Sequence, residues 1–417
     1  MAKTKYALNM SCGQTPLFPS TLAAMATQCH EPIYYKPYYD LEVACVDQLR
    51  RLMHTGNDVL MILGTGTYGL EAAMLSVLEP GDHALTVNTG TFGAMQADLV
   101  RIAGGHPTEI VVPGGQSVTV EQIRTELKKD PSIKMAAVAY TETSRGTKNP
   151  VAAIGRMLRD EFPGVVYLVD AMSAFAGVEL AVDDWGIDIL VTTTQKALNA
   201  PQGLAIVAVS PKAWDIMERR QTPIASLCLD LTYWRGYHAS MRFTQENWSV
   251  PSSHGKGPKR STRSIHGPSG SYVLAKALKA SLDEIEAEGE GNVFRRHRVA
   301  SRALREGIRA MGFATLASED NAAPTSTCIH VGGDAFDVQR FGRMMYEEYG
   351  IVTSGGSPTI QSGSYVGFRV GTMGQSASPL CVFAFLAAME EAMPRLGYQV
   401  NDGAALPAAQ AVFAQGE

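Results

Sequence analysis

The sequence predicts an α/β protein whose large domain contains a mainly parallel β-sheet. Seven short apolar runs, each the length of one strand, lie between residues 40 and 210 and alternate with stretches of helical periodicity. Strands that are apolar on both faces need helices on both sides of their sheet, which is typical of parallel sheets in α/β domains. The seven runs are residues 58–63, 84–88, 109–112, 135–140, 165–170, 187–192 and 204–209.

Helices are predicted between these strands from periodicity and from signals at their ends. Thr119 is followed three residues later by Gln122, a capping box that starts a helix over residues 120–129. Asn149 and Pro150 mark the start of another helix, with proline expected at its first position. Periodicity alone predicts helices over residues 40–53, from Leu70 and after Phe92.

The chain beyond residue 210 loses this alternation. Residues 233–270 contain six Lys and Arg residues and one acid, so this basic insert carries a local charge of +5 while the rest of the chain sums to −10. Long helical segments follow, and strand-like pieces flank helices towards the end, which predicts a smaller α+β domain. We expect a large domain over residues 18–285, a small domain over 286–417, and an N-terminal segment 1–17 that packs near the functional site. The alanine-rich tail from Asn401 is expected to fray.

The composition limits the classes of function. The net charge is −5, which argues against nucleic acid as a main partner. The six cysteines are scattered without a C-x-x-C pair, and no histidines have ligand spacing, which predicts reduced thiols and no metal site. The first residues lack the apolar stretch of a signal peptide, and the longest apolar run, residues 380–389, is too short to span a bilayer. We therefore predict a cytoplasmic protein with no membrane partner.

The first motif with chemical meaning is Gly64–Gly69, which matches G-x-G-x-x-G between a predicted strand and a predicted helix. The pattern indicates backbone N–H groups at a helix N-terminus, where a phosphate can bind. Thr65 and Thr67 add hydroxyl donors, which suits a terminal phosphate monoester better than a pyrophosphate. A nicotinamide or flavin nucleotide, or a tight turn without a ligand, remain alternatives on this motif alone.

The second candidate is Asp170, the last residue of the apolar run 165–170. A carboxylate at the carboxyl end of a parallel strand lies where open α/β sheets bind ligands. Such an aspartate can keep a pyridinium nitrogen protonated, which makes the ring of a cofactor an electron sink. The alternative is an aspartate that only caps the next turn.

The third candidate is Lys196, which lies between a predicted buried strand and a loop that ends at Gly203. This position holds the amine away from bulk water, so the lysine can act as a nucleophile and later as a general base. The alternative is a solvated surface lysine. The position of Lys196, 26 residues after Asp170 and beyond one more strand, favours the functional interpretation.

Together these segments resemble the class V aminotransferases of fold type I, in the group of alanine–glyoxylate, serine–glyoxylate and pyridoxamine–pyruvate aminotransferases. The resemblance extends over nearly the whole chain and is closest in QKALNAPQG, LVDAMSAFAG, GLEAAMLSVLEPGD and RVGTMG. It implies a transferase that depends on pyridoxal 5′-phosphate (PLP) and moves an amino group from a small amino acid to an oxo acid such as glyoxylate or pyruvate. It also implies a homodimer with the active site at the subunit interface.

The resemblance further implies roles for individual residues. Lys196 would form the Schiff base with the cofactor and move the proton between Cα and C4′, and Asp170 would pair with the ring nitrogen. Arg369 would receive the substrate carboxylate, a planar task for which lysine is a poor substitute. The remaining implied cofactor contacts are Thr65, Gly66, Thr67 and Gln195 at the phosphate, Phe92 against the ring, Thr143 near the phenolic oxygen, and Ser269 and Ser271 near the place where a partner chain completes the phosphate site.

The sequence also departs from the pattern of this family. Pyridoxamine–pyruvate aminotransferases have an additional arginine shortly before the position of Arg369, and residues 353–357 contain none, which argues against pyridoxamine as a substrate. Residues 9–16 lack the usual glycine–proline–glycine pattern, so the substrate entrance is expected to be reshaped. Two groups of side chains are open to a site role or to simple packing: Arg235, His238 and Arg242 of the basic insert, and Tyr34, Tyr35, Tyr38 and Tyr39.

Three alternatives compete with an aminotransferase: a PLP-dependent lyase or desulfurase, an NAD-dependent dehydrogenase, and a non-catalytic binding protein that has kept the fold. A PLP-dependent lyase or desulfurase would use the same fold, but a desulfurase needs a mobile cysteine, and Cys328 and Cys381 lie in apolar surroundings. An NAD-dependent dehydrogenase would use Gly64–Gly69 and an acidic ribose ligand about 20 residues further on. Asp82 has this spacing but lies in a turn before the next strand.

Overall fold

The computed structural model describes residues 8–30, 33, 35–247, 270–332, 336–355 and 366–416, and the side chains of residues 240–247 are outside that description. Within these ranges, every helix is too short or too polar to span a lipid bilayer.

The described elements alternate strand and helix through the first half of the chain. The helices are α1 Pro19–Ala26, α2 Lys36–Met53, α3 Gly66–Val77, α4 Thr91–Ile102, α5 Val120–Lys129, α6 Val151–Glu161, α7 Pro211–Glu218, α8 Leu231–Asn247, α9 Tyr272–Glu288, α10 Glu290–Ala310, α11 Val338–Glu347, α12 Pro379–Arg395 and α13 Ala405–Gln415. The strands are β1 Leu8–Asn9, β2 Asp58–Leu63, β3 His83–Asn88, β4 His106–Val111, β5 Ile133–Ala139, β6 Thr141–Glu142, β7 Thr147–Lys148, β8 Val166–Asp170, β9 Ile189–Thr193, β10 Leu204–Val209, β11 Ala314–Thr315, β12 Ser326–His330, β13 Ile351–Val352 and β14 Gly367–Gly371.

The central sheet has seven strands in the order β2-β10-β9-β8-β5-β3-β4. Only β10 is antiparallel to its neighbours β2 and β9, and the other pairs are parallel. Alternate residues of one strand enter different apolar cores: Val59 and Met61 contribute to one face of the sheet, and Leu60 and Ile62 to the other. The prediction of a mainly parallel sheet from these seven runs is confirmed.

The ends of the helices differ in part from the sequence expectations. The capping box of α5 is confirmed, because Thr119 accepts from the Gln122 N–H and the Gln122 side chain accepts from the Thr119 N–H. Helix α3 begins at Gly66 rather than at Leu70, so the glycine motif includes its first turn. Pro150 is the N-cap of α6 rather than its first helical residue.

A third apolar core lies between the three-stranded sheet β11-β12-β14 and the helices of the C-terminal part. The prediction that the tail from Asn401 frays is wrong, because α13 packs on α10 and buries Ala405, Ala409 and Val412 in this core. The two helices approach closely at Gly307 of α10, where a Cβ would be only 3.2 Å from the Ala405 carbonyl oxygen.

The N-terminal strand β1 extends towards the same C-terminal part. Leu8 and Asn9 pair in parallel with Ile351 and Val352 of β13, and Met10 is fully buried in the third core. The residues after Met10 therefore run from this core towards the large sheet, and the pairing of β1 with β13 fixes where they start.

The described part of the basic insert forms most of α8, which covers the outer edge of β2. His238 Nε2 accepts a hydrogen bond from the Met61 N–H at 3.1 Å. Arg235 forms ion pairs with Asp58 at 3.3 Å and with Glu218 at 2.7 Å. These contacts favour a packing role for Arg235 and His238, since a covered strand edge resists pairing with another chain. The Arg242 side chain and residues 248–269 lie outside the described part.

Replacing each of two helical glycines by alanine should change the free energy of unfolding in opposite directions. Alanine is favoured over glycine in a helix interior by about 1 kcal/mol. Gly342 of α11 has open space around its Cα, so Gly342→Ala should raise the free energy of unfolding by about that amount. A Cβ on Gly155 of α6 would overlap the Trp185 carbonyl oxygen, so Gly155→Ala should lower it by about 1–3 kcal/mol. Denaturant unfolding of both variants tests this difference, and a gain in both would contradict the close packing of α6.

Candidate active site

Asp170 and Lys196 lie at the same edge of the central sheet. Asp170 is the last residue of β8 and pairs in register with Val191 of β9. Strand β9 ends at Thr193, three residues before Lys196. Because β8 and β9 are parallel, both side chains follow carboxyl strand ends, the edge at which α/β sheets bind ligands. The charge of each group acts on the pKa of the other.

The Asp170 carboxyl group is buried, with 5% of its surface exposed, and its Oδ1 accepts a hydrogen bond from the Met172 N–H at 2.9 Å. Burial raises the pKa of this carboxyl from 3.8 to about 7, and the charge of Glu142 contributes to the increase, whereas Met172 and Lys196 oppose it. A cation held beside Asp170 would stabilise its ionised form. The site therefore favours a ligand that presents a positive group to Asp170.

The amine of Lys196 is only partly exposed and donates a hydrogen bond to the Cys12 carbonyl oxygen. Burial lowers the pKa of this amine, and the nearby charge of Arg369 also lowers it. A lower pKa increases the fraction of neutral amine near pH 7, and only the neutral amine can act as a nucleophile or base.

The N-terminal segment lies against the backbone of the Lys196 loop. The Thr15 N–H donates to the Gln195 carbonyl at 3.0 Å, and the Thr15 hydroxyl donates to the Lys196 carbonyl at 2.7 Å. Cys12 and Thr15 were not among the residues predicted from the sequence. Their contacts use backbone atoms or a single hydroxyl, and no motif marks them.

The N-terminus of α3 lies next to the segment that follows Asp170. Thr65 is the N-cap and its side chain forms no capping hydrogen bond, so the first amides of the helix depend on another acceptor. A Cβ on Gly66 would overlap the Met172 side chain, so the start of α3 and the segment after Asp170 are in direct contact. Thr67 is exposed at the same turn, and an anion can bind to such a helix end.

Gln195 lies between the end of β9 and Lys196. Its side-chain oxygen accepts a hydrogen bond from the Thr193 hydroxyl at 2.5 Å. This contact leaves the amide nitrogen of the side chain as the group that can donate to a ligand.

A buried glutamate that the sequence analysis did not single out fixes the start of α4. Glu142 Oε2 accepts from the N–H groups of Phe92 and Gly93 at 3.0 and 2.9 Å, and Oε1 accepts from the Ser144 N–H at 2.9 Å. A carboxylate at a helix N-terminus is stabilised by the amides and by the helix dipole. Phe92 is thereby held, partly exposed, in the first turn of α4.

Thr143 connects this region to the segment after Asp170. Its hydroxyl lies 3.3 Å from the Ser173 hydroxyl, and its carbonyl accepts from the Ser326 hydroxyl at 3.2 Å. The side chain is buried, and the sequence provided no sign of its link to the C-terminal sheet.

Arg369 lies on β14, opposite Cys328 of β12. Its Nε donates to the Gly355 carbonyl at 3.2 Å, and its guanidinium is close enough for its charge to act on both Cys12 and Lys196. The structure therefore brings Arg369 to the same region as Lys196, although the two are 173 residues apart in the chain.

The remaining candidate residues are Ser269, Ser271 and the tyrosine group. The Ser271 hydroxyl accepts from the Leu274 N–H at 3.4 Å and caps α9, and Ser269 lies outside the described residues. Tyr38 and Tyr39 are buried, and the Tyr38 hydroxyl donates to Glu42 at 2.5 Å, which favours a packing role for these rings. Tyr35 is exposed, and Tyr34 is outside the described part of the chain.

The competing functions gain no support from the structure. Asp82 accepts from the Glu79 N–H and pairs with Lys134, both at 2.7 Å, at the amino end of β3 and away from the edge that contains Asp170. Cys328 and Cys381 are buried, as expected for packed thiols. In the described ranges no three His, Cys, Asp or Glu side chains are grouped so that they could hold a metal ion.

The site combines three chemical features at one edge of the sheet: a helix N-terminus for an anion, a buried carboxylate that favours a cationic neighbour, and an amine with a lowered pKa. A phosphorylated pyridine aldehyde carries the complementary groups, because it has a phosphate, a basic ring nitrogen and a carbon that condenses with an amine. The residues present therefore fit such a molecule.

Comparisons with known proteins point to one family. The family model for class V aminotransferases matches residues 43–243. An uncharacterized aminotransferase of Methanocaldococcus jannaschii is 31% identical over 397 residues, which cover 95% of this chain and 94% of that protein. The pyridoxamine–pyruvate transaminase of Mesorhizobium japonicum is 28% identical over 412 residues, 97% of this chain and 96% of that protein. The solved structure of ureidoglycine–glyoxylate aminotransferase from Bacillus subtilis aligns with a TM-score of 0.87, 27% identity and 99% coverage of each chain.

Proposed function

We propose that this chain, which belongs to the class V aminotransferase family and is a PLP-dependent transaminase, moves an amino group from a small amino acid to glyoxylate or pyruvate. The observation that carries the assignment of the site is the placement of Asp170 and Lys196 at the ends of two neighbouring parallel strands. Glyoxylate and pyruvate are proposed as acceptors because the names of the similar enzymes contain them.

The residues of this chain would hold the cofactor at both ends. The amides at the start of α3, with Thr65, Thr67 and Gln195, would bind the phosphate, and Asp170 would face the ring nitrogen. Phe92 would lie against the ring, and Thr143 would lie near its phenolic oxygen. Lys196 would form the covalent link, and its lowered pKa supports this role because the neutral amine is the reactive form.

When bound, PLP supplies an electron-withdrawing ring that stabilises negative charge at the substrate Cα. Asp170 supports that property by favouring a protonated ring nitrogen. The Lys196 amine would act as the base that removes the proton from the substrate Cα and later returns one. The Cys12 carbonyl gives this amine an acceptor within hydrogen-bonding distance.

Arg369 would bind the carboxylate that amino acids and oxo acids share. A guanidinium presents two parallel donors to a carboxylate, and Arg369 is half-buried beside the loop that contains Lys196. One arginine can therefore orient both the amino donor and the acceptor.

The Arg369→Ala variant should separate substrate binding from cofactor binding. The loss of a charge-assisted pair of hydrogen bonds should lower kcat/KM for carboxylate substrates by about 10²-fold, while the dissociation constant of PLP changes little. Arg369→Lys should restore only a small part of the activity. Steady-state kinetics and PLP titration measure both quantities, and an equal loss of both would contradict this role.

The identity of the amino donor is tested by a half-reaction screen. The purified PLP-loaded protein is mixed with single amino acids, and conversion of the cofactor to its amino form is followed by absorbance together with oxo acid release. Small amino acids should convert the cofactor, and pyridoxamine should not act as a donor, because residues 353–357 contain no arginine. If no amino acid converts the cofactor, the proposed reaction is wrong.

We also propose a cytoplasmic homodimer with the active site at the subunit interface. Large apolar side chains are exposed on α1, α3 and α9, namely Leu22, Tyr68 and Val273, and their burial against a partner chain would be favourable. The six cysteines are free thiols, which supports a reducing compartment. Light scattering of the purified protein tests the dimer.

A further inference from the structure

His297 connects α10 to the turn that follows β14. The side chain is fully buried, its Nδ1 lies 2.7 Å from the Val293 carbonyl, and its Nε2 lies 2.9 Å from the Gly374 amide nitrogen. A carbonyl only accepts and an amide N–H only donates, so Nδ1 carries the proton and Nε2 is the acceptor. Burial lowers the pKa of His297 to about 3, so the imidazole stays neutral in this arrangement.

The turn at Gly374 is held from α10 and lies against Asn199 in the loop of Lys196. The Arg296 guanidinium donates to the Gly374 carbonyl, beside the bond from His297. Gly374 has a positive φ of 55°, and a Cβ at this position would overlap the Asn199 side chain. Only glycine satisfies both the left-handed conformation and the close contact.

Asn199 transmits this contact to the backbone of Lys196. It is fully buried with a φ of 54°, a strained conformation for a residue with a side chain. Its N–H donates to the Lys196 carbonyl at 2.9 Å, and its Nδ2 donates to the Pro16 carbonyl at 2.7 Å and to the Thr15 hydroxyl at 3.1 Å. The Lys196 carbonyl thus accepts hydrogen bonds from both Asn199 and Thr15.

We propose that His297 is a positioning residue that fixes the Lys196 loop through Gly374 and Asn199. This inference rests on the proposed role of Lys196. The lysine side chain is long and flexible, so the position of its amine depends on a fixed backbone. A displacement of a reacting group by about 1 Å can lower a rate by about 10²-fold. His297 is not among the residues proposed to contact the cofactor or the substrate. Its effect on the position of Lys196 therefore passes through Gly374 and Asn199.

Three substitutions at position 297 separate the hydrogen bond from packing. His297→Leu leaves the Gly374 N–H without its acceptor, and we expect kcat to fall about 10- to 100-fold with little change in KM for the amino donor. His297→Asn is too short to reach Gly374 but can still donate to the Val293 carbonyl, so it should lose kcat to the same extent even if the leucine variant does not fold. His297→Gln can present an acceptor to Gly374 and should restore most of the activity.

A second readout does not depend on catalysis. Hydrogen exchange of the Asn199 and Gly374 amides in the cofactor-free protein should be faster in His297→Leu and His297→Asn than in the unmodified protein. The matched control is His238→Leu, which removes another imidazole acceptor from a backbone N–H, that of Met61 on the outer strand β2. This control should lower stability without changing kcat or the exchange of Asn199.

The outcomes distinguish this inference from the proposed function. Wild-type kcat in both His297→Leu and His297→Asn, or an equal fall of kcat in His238→Leu, would overturn the role of His297. Full activity of a protein without Lys196 would overturn the proposed function of the lysine instead. Faster exchange with lowered kcat at position 297, and rescue by glutamine, would support the positioning role.

Discussion

The Lys196→Ala variant is expected to lose at least about 10³-fold of kcat/KM for transamination. The substitution removes both the group that attaches the cofactor and the base that moves the Cα proton, and general acid–base catalysis alone contributes about 10²- to 10⁴-fold. The visible absorption band that a lysine-bound cofactor gives should be absent, and borohydride should no longer fix the cofactor to the chain. Steady-state kinetics and an absorption scan before and after borohydride measure these effects.

A matched lysine serves as the control for this variant. Lys134 pairs with Asp82 at the amino end of the sheet, and Lys134→Ala should keep both the activity and the absorption band. The alanine variant at 196 should keep its circular dichroism, since the Lys196 backbone contacts with Thr15 and Asn199 do not use the side chain. A Lys196→Ala protein that still reacts with borohydride at wild-type rate would place the attachment on another lysine.

The central sheet could be predicted from the sequence because most of its strands are covered on both faces and are apolar along most of their length. Val59 to Ile62 alternate between two cores, so a covered strand must be apolar at each position. The tail was predicted wrongly because composition does not show which partner covers an alanine-rich helix. The packing of Ala405 against Gly307 depends on residues almost 100 positions apart.

The candidate site could be predicted only in part. Asp170 ends β8 and Lys196 follows β9, and because these neighbouring strands are parallel the topology brings both residues to one edge of the sheet. The Cys12 carbonyl that accepts from Lys196 is 184 residues away in the chain and is a backbone atom, so no side-chain pattern reports it. The same is true of the Gly374 amide that His297 binds. Long-range backbone contacts of this kind become visible only in the folded structure.

The Asp170→Asn variant is expected to lower kcat by about 10²- to 10³-fold, the range measured when one preorganised electrostatic contact to a transition state is removed. Asparagine has nearly the same shape and its oxygen can still accept from the Met172 N–H, so the loss would report the missing charge. The control is Asp188→Asn at the opposite end of β9, where Asp188 accepts from the Tyr167 N–H and pairs with Lys212. That variant should lose stability and keep kcat.

The same substitution should stabilise the cofactor-free protein at high pH. Because burial raises the pKa of Asp170 to about 7 from 3.8, the folded protein holds this proton more tightly than the unfolded chain does. Ionisation of the buried carboxyl therefore costs stability as the pH rises from about 4 to 7, and the full cost, on the order of a few kcal/mol, applies above pH 7. The asparagine side chain of the Asp170→Asn variant does not ionise, so denaturant unfolding should show the variant to be more stable than the wild type at pH 8 and nearly equal at pH 4. If this one neutral substitution raises stability and lowers kcat, the charge of Asp170 serves the ligand and not the fold. Equal stability of the variant and the wild type at both pH values would contradict this role of Asp170.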